Sequence, residues 1–248
     1  AKSLVAMGFI DDVSAPAASS DDLAAPLYVA WQITNECNLA CLHCIEESGP
    51  GKAFHDELRD DEVFAVIDQL VDQDVPYLSF SGGEPMVHPQ FFKMVERACA
   101  NGRQLKIETN GHYLDAKNCE RLRELGVKAV QVSLDGASRP TFNRMRVLGE
   151  FNTVVEGTKN LRAAGVPIEI NFSPTRFNIG EIGAAVDLAY ELGAYSFYTG
   201  RTMYTGNAVK TWRILAPSEE QYTEFFGVLH AKAGEYRGRM RVHFHEMG

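Results

Sequence analysis

The chain of 248 residues has little cysteine: five in all, and none after Cys119. Disulfides are therefore a poor organising device here, and with 45% hydrophobic residues the chain can bury a substantial core without them. Positive charge is also scarce. Lys and Arg number 24 against 33 Asp and Glu, a formal net charge of −9, which argues against a broad nucleic-acid-binding face. No apolar run approaches the length needed to span a bilayer. The N-terminal "SLVAMGFI" runs straight into Asp11 and Asp12, unlike a secretory leader. Together with closely spaced thiols, these absences point to a reducing cytoplasm, with no nucleic-acid partner and no membrane.

What cysteine there is stands concentrated. "CNLACLHC" (37–44) carries Cys37, Cys41 and Cys44 as C-x3-C-x2-C, just after the apolar "LYVAWQIT". Three is an odd number, and bridges within so short a loop would close little chain entropy. The spacing i, i+4, i+7 also lines one helix face, so a stripe of buried thiols is the bland reading. Structural zinc normally takes four closed ligands, and His43 lies too close beside Cys44 for easy tetrahedral closure. A [4Fe–4S] cluster normally takes four cysteinates, so three leave one iron open to a substrate or cofactor.

Along the rest of the chain, β-prone runs alternate with helical periodicity. Strands are expected at "LYVAWQIT", "VPYLSFS", "QLKIETN", "VKAVQVSLD", "PIEINFSP", "AYSFYTG" and "RMRVHFHE". Between them lie helical patterns, the first marked by Val63, Val66, Ile67 and Leu70, and others closed by Gly126 and Gly165. Six β-then-α units plus a seventh strand imply a parallel α/β sheet, either open and doubly wound or an incomplete barrel. Both place ligand chemistry at the C-terminal ends of the strands. The polar motifs obey that rule: the cysteine loop, "SGGEP" (81–85), "TNG" (109–111), "SLDG" (133–136), "SPT" (173–175) and "TGRTMYTG" (199–206) all follow strands. Turn chemistry accounts for some of these residues but not for the cysteines or Glu84. Residues 1–27 read as an N-terminal linker segment and 28–248 as one domain.

The cysteine motif after the first strand, "GGEP" after the second and the series of β/α units resemble the radical S-adenosylmethionine (SAM) enzymes, over roughly residues 28–246. The resemblance implies a partial (β/α)6 barrel. It implies that Cys37, Cys41 and Cys44 hold three irons of a [4Fe–4S] cluster while SAM chelates the fourth. It further implies reductive cleavage of SAM to a 5′-deoxyadenosyl radical, fed by a low-potential electron donor such as flavodoxin or ferredoxin, and hydrogen abstraction from a substrate.

Site roles follow from the same resemblance, each beside an ordinary structural explanation. Gly82, Gly83 and Glu84 match the glycine-rich motif that meets the methionine portion of SAM, Glu84 accepting from its ammonium group; the ordinary alternative is a strand-to-helix turn. Asn110 shapes the pocket or merely a turn. Ser133 and Asp135 stand where relatives contact the ribose and carboxylate of SAM. Arg146 stands where peptide-modifying members pair an arginine with that carboxylate, or is a solvated helix-entry arginine. Arg201 occupies a polar position after strand six, and His43 packs near adenine. Cys99 and Cys119 read as inert thiols in helices.

"SGGEP…TNG…SLDG" followed by "GRTMYTGNA" looks most like the branch with SPASM or twitch extensions, which matures ribosomal peptides and peptide-derived cofactors. The expected substrate is a peptide, and the native chain is expected to continue into auxiliary-cluster cysteines. Two alternatives stand: a small-molecule or tetrapyrrole-tailoring enzyme of the same fold, and a non-enzymatic iron–sulfur electron carrier. The carrier would need neither an open iron nor the glycine-rich motif.

Overall fold

A computed structural model describes residues 25–245, so most of the proposed N-terminal linker lies outside the described residues. The strands are β1 (Tyr28–Gln32), β2 (Tyr77–Ser81), β3 (Gln104–Thr109), β4 (Ala129–Ser133), β5 (Ile168–Phe172), β6 (Ser196–Gly200) and β7 (Arg241–His245). The helices are α1 (Asp60–Asp72), α2 (Phe91–Cys99), α3 (Ala116–Glu124), α4 (Arg139–Met145), α5 (Phe151–Ala164), α6 (Ile182–Glu191), α7 (Asn207–Leu215) and α8 (Glu219–Glu235). All seven strands are parallel and pair in chain order, β1 to β7. A sheet that advances one strand at a time through right-handed crossovers carries its helices on one face. The sheet is an incomplete barrel with β1 and β7 at its edges, so of the two closures left open by the periodicity, the barrel is the one realised.

The two faces differ chemically. On β3, Leu105 and Ile107 are fully buried in the core shared with the helices, while Lys106 and Glu108 alternate with them on the concave side. There Ser79 Oγ donates to Glu108 at 2.8 Å, and Lys106 Nζ lies 3.1 Å from Glu108 and 3.8 Å from Glu169. A parallel sheet covered by helices on both faces would be apolar on both. The polar inner face therefore marks a lumen. On the outer side, α1 buries Val63, Val66, Ile67 and Leu70 as their spacing requires. Asp60, Asp61 and Glu62 occupy its first turn, favourable to the helix dipole. Helix α8 opens with a reciprocal cap: Ser218 Oγ accepts from Gln221 N at 3.2 Å and Gln221 Oε1 from Ser218 N at 2.9 Å.

Two helices, α4 and α7, were not expected from the sequence pattern. Each is short, and α7 buries only Ala208 and Leu215. Both end up against the cysteine loop.

Candidate functional site

Residues 33–59, between β1 and α1, contain no helix or strand. The cysteines therefore do not form a helix stripe. The loop is held by its own polar side chains and by distant backbone. Glu57 accepts from Thr34 Oγ1 (2.9 Å), Asn35 N (2.7 Å) and Phe54 N (3.0 Å). Glu36 accepts from Gly51 N and Ala53 N at 2.8 and 3.2 Å. From α4 and the turn after it, Met145 and Val147 carbonyls accept from Leu42 N (3.1 Å) and Ala40 N (3.0 Å). From α7, Asn207 N donates to Cys44 O at 2.8 Å, Asn207 Nδ2 to Cys41 O at 3.1 Å and Thr211 Oγ1 to Leu42 O at 2.9 Å. The start of α7 can approach only because residue 206 is glycine: a Cβ there would sit 2.4 Å from the carbonyl oxygens of Cys44 and Ile45.

"SGGEP" packs against this loop. Gly83 N donates to Thr34 O at 2.8 Å and Glu84 N to Glu36 O at 2.9 Å. A Cβ at Gly83 would meet Glu36 O at 2.3 Å, so glycine is required by the loop contact itself.

Cys37, Cys41 and Cys44 line one cavity of about 610 Å³ at the C-terminal ends of the strands. His43, Gly83, Asn110, Ser133, Arg146 and Arg201 share its wall. Gly82, Glu84 and Asp135 stand next to residues of that wall. Glu84 is 0% exposed, its carboxylate taken up by Met86 N (3.1 Å), Thr109 Oγ1 (2.8 and 2.9 Å) and Asn110 N (2.8 Å). Burial pushes its carboxyl up to about 7 against those bonds. Asp135, also 0% exposed, accepts from Ser173 N (2.8 Å) and Arg146 Nε (2.8 Å) and lies 2.9 Å from His43 Nε2. Burial raises its carboxyl, but Arg146, then His43, outweigh burial and hold it well below the usual carboxylate range. His43 turns Nε2 toward Asp135, and its Nδ1 is buried without a protein partner. Arg201 forms a two-pronged pair with Glu219 at 2.8 and 2.9 Å.

Sequence reasoning missed the lower wall of the cavity, which includes Gln131, Asn171 and Tyr198. Their period-two position on β4, β5 and β6 would have found them once the inner face was known to be polar.

Among the described residues, no three His, Cys, Asp or Glu side chains converge on a point where one ion would sit. His43 turns its Nε2 to Asp135 and away from any ligand role. A mononuclear zinc site does not fit this arrangement. Three thiols that share a cavity without converging fit a cluster, which spreads its ligands over several metal atoms. Donors already face two sulfurs: Leu39 N lies 3.4 Å and Asn110 Nδ2 3.7 Å from Cys37 Sγ, and Arg146 Nη1 3.9 Å from Cys41 Sγ. Burial pushes the Cys41 thiol up to about 12 despite Arg146. Cys119 is fully buried in the core and Cys99 packs against it; burial pushes their thiols up to about 12 and about 11. No described helix is long and apolar enough to cross a membrane.

Residues 31–188 match the Radical SAM superfamily. Over 214 residues the chain is 33% identical to the mycofactocin maturase MftC of Mycobacterium tuberculosis, covering 85% of this chain and 53% of that protein. It is 32% identical over 203 residues to the AdoMet-dependent heme synthase of Methanosarcina barkeri, covering 82% of this chain and 58% of the relative. The chain thus spans little more than half the length of these relatives. The crystal structure of Streptococcus suis SuiB bound to S-adenosylmethionine superposes with a TM-score of 0.74 at 15% identity, over 89% of this chain and 51% of that one. That likeness concerns the fold.

Proposed function

The chain belongs to the radical SAM superfamily, and from that premise we propose that Cys37, Cys41 and Cys44 hold three irons of a [4Fe–4S] cluster in a maturase acting on a peptide. Cluster and SAM, when bound, supply one-electron cleavage of a sulfonium and, from it, hydrogen-atom abstraction, with the electron coming from an external low-potential donor such as flavodoxin or ferredoxin. The observation that carries this reading is the meeting of the three thiols, Gly83, Asn110 and Ser133 on one wall at the strand ends.

In this reading Gly83 offers close backbone approach to the methionine end of SAM, and Asn110 stands beside it. Ser133 faces the ribose, and the His43 ring packs beside the nucleoside. Glu84 acts from behind, fixing Asn110 through its backbone N–H. The barrel wall keeps water and stray hydrogen donors away from the reacting atoms.

Two observations support a peptide as substrate. One is the similarity to a maturase named for mycofactocin. The other is the chemistry of the cavity. Gln131, Asn171, Ser173 and Tyr198 supply neutral hydrogen-bonding groups, and both arginines of the wall are held by carboxylates, Arg146 by Asp135 and Arg201 by Glu219. Such a wall suits amides better than a carboxylate-rich tetrapyrrole. The similarity to the heme synthase keeps a tetrapyrrole as the second reading.

The test is anaerobic reconstitution with iron and sulfide, addition of dithionite and SAM, and a search for 5′-deoxyadenosine. Its absence from a cluster-loaded protein would overturn the enzyme assignment and leave an electron carrier. Mass spectrometry of peptide and tetrapyrrole candidates, looking for deuterium transferred into 5′-deoxyadenosine, then separates the two substrate readings.

A further inference from the structure

The cysteine loop has two sides. In the reading above, one lines the cavity that holds SAM and substrate. The other lies between α4 and α7, with Leu42 at its centre. Leu42 N donates to Met145 O at 3.1 Å, and Leu42 O accepts from Thr211 Oγ1 at 2.9 Å. Leu42 is only partly buried, so a single stretch of chain, Cys41 to Cys44, stands between the thiols and the surface. An electron that arrives while SAM and substrate fill the cavity has to enter from this outer side. Three exposed hydrophobic residues border it: Val147 and Leu148 just after α4, and Ile214 on α7, at 37%, 67% and 51% exposure. Leu148 is held at φ 69°, in the left-handed region that only glycine, asparagine and aspartate visit routinely. A leucine kept in a strained backbone and left mostly in water has no explanation in the packing of this chain. A partner that covers it supplies one.

The charge at this place runs against that of the chain, whose formal net charge is −9. Arg144, Arg176 and Arg213 form a row from α4 to α7, and all three are exposed. The Arg144 guanidinium lies over the Phe177 ring at 3.7 Å. Its neighbour Arg176 donates through Nη1 to Arg213 O at 3.2 Å and through Nε to Ala216 O at 3.0 Å. Among the described residues, no carboxylate lies within ion-pair distance of any of the three. By contrast, Lys210 on α7 is paired with Glu47, and Arg139 on α4 with Glu150.

We propose that this face, Val147, Leu148 and Ile214 bordered by Arg144, Arg176 and Arg213, is the docking surface for the electron donor, a protein whose redox centre is rimmed by acidic side chains. The inference rests on the cluster reading above and names the partner surface of the same site. The donor is oxidised by one electron and the cluster reduced by one; no bond of either protein changes. A few apolar contacts framed by unpaired cations suit a carrier that has to find the site quickly, deliver and leave, as the small interfaces of electron-transfer complexes do.

The experiment compares the anaerobically reconstituted chain with the double reversal Arg144→Glu/Arg213→Glu, with Leu148→Asn and with Lys128→Glu. Lys128→Glu is the control, since it reverses an exposed charge just before β4, at the opposite end of the strands. Leu148→Asn removes the apolar contact while asparagine accepts the left-handed backbone. Formation of 5′-deoxyadenosine is measured with dithionite, which needs no docking, and separately with purified reduced flavodoxin or ferredoxin at varied concentration and ionic strength. Every variant should keep the dithionite-driven rate. The donor concentration for half-maximal rate should rise about tenfold or more in the double reversal, with most of its salt dependence lost, and about threefold in Leu148→Asn. Lys128→Glu should stay within about twofold of the wild type. A double reversal served by the protein donors as well as the wild type would overturn the inference, and so would an equal loss in Lys128→Glu, which would make net charge the cause. A variant that keeps its circular dichroism but loses the dithionite-driven rate would also overturn it, giving the face to cluster loading or to another domain. A wild-type chain active with dithionite but with neither protein donor would do the same. A wild-type chain that forms no 5′-deoxyadenosine even with dithionite would refute the enzyme reading itself, a failure distinct from all of these.

Discussion

Glu84 offers the sharpest test of how the glycine-rich motif works, because its carboxylate serves the protein's own donors. In Glu84→Ala, Met86 N and Asn110 N lose their acceptor within a closed environment, and neither can turn away; the Thr109 hydroxyl can. A buried donor left unsatisfied costs about 1–3 kcal/mol, so the variant should lose on the order of 3 kcal/mol once the relaxation of Thr109 is allowed for. Urea denaturation of the metal-free protein measures this directly. The pH dependence adds a second, independent sign. Burial, the largest influence, raises the folded-state carboxyl from its ordinary 4.5 to about 7, against the bonds from Asn110, Met86 and Thr109. The folded chain therefore holds this proton more tightly than the unfolded one. The stability contributed is complete below pH 4.5 and is lost as pH rises through about 7. The gap corresponds to about 3 kcal/mol. Between pH 4.5 and 8 the wild type should lose about that much more stability than Glu84→Gln, which cannot titrate. Parallel pH curves for the two proteins would refute the desolvation of this carboxylate. A Glu84→Ala protein as stable as the wild type but unable to bind SAM would refute the structural role and restore the direct contact read from the sequence.

Cys99→Ala and Cys119→Ala should keep the full iron complement and SAM cleavage, since Cys119 sits in the helical core and Cys99 packs against it; loss of iron in either would show a ligand mistaken for packing. Gly206→Ala should impair cluster loading, because the new Cβ meets two carbonyls of the cysteine loop at 2.4 Å; iron per chain after reconstitution is the readout, and normal loading would show that α7 is not a clamp. Ser218→Ala should cost about 1 kcal/mol through loss of the α8 cap while leaving SAM affinity untouched, as thermal unfolding and equilibrium dialysis would show.

The alternation of strands and helices was legible because its elements are long and strongly periodic: the Val63, Val66, Ile67, Leu70 stripe of α1 and the alternating burial of β3 follow the expected spacing. The cysteine loop was legible from its place after the first strand and the glycine-rich motif after the second, since the spacing by itself also fits a helix face. Helices α4 and α7 were not, because apolar periodicity does not define them. Helix α7 earns its place through Asn207 and Thr211, whose partners are backbone carbonyls in another part of the chain. The same limit applies to Asp135. Its motif marked it as functional, but only the fold shows that its carboxylate meets Arg146, His43 and Ser173. For Glu84 too, sequence reveals a carboxylate at a strand end but not the three protein groups that bond to it.

The clasp between α7 and the cysteine loop also sets an order of events in the making of the protein. Asn207 and Thr211 reach Cys41 and Leu42 across 166 and 169 residues of chain. On the ribosome, the three cysteines emerge long before the helix that orders them, and closing so long a loop awaits the strands between. A chain that has reached only β5 already has the Met145 and Val147 carbonyls that hold one side of the loop but lacks Asn207 and Thr211 on the other. The 37–44 loop thus takes its final shape only in a chain folded through α7.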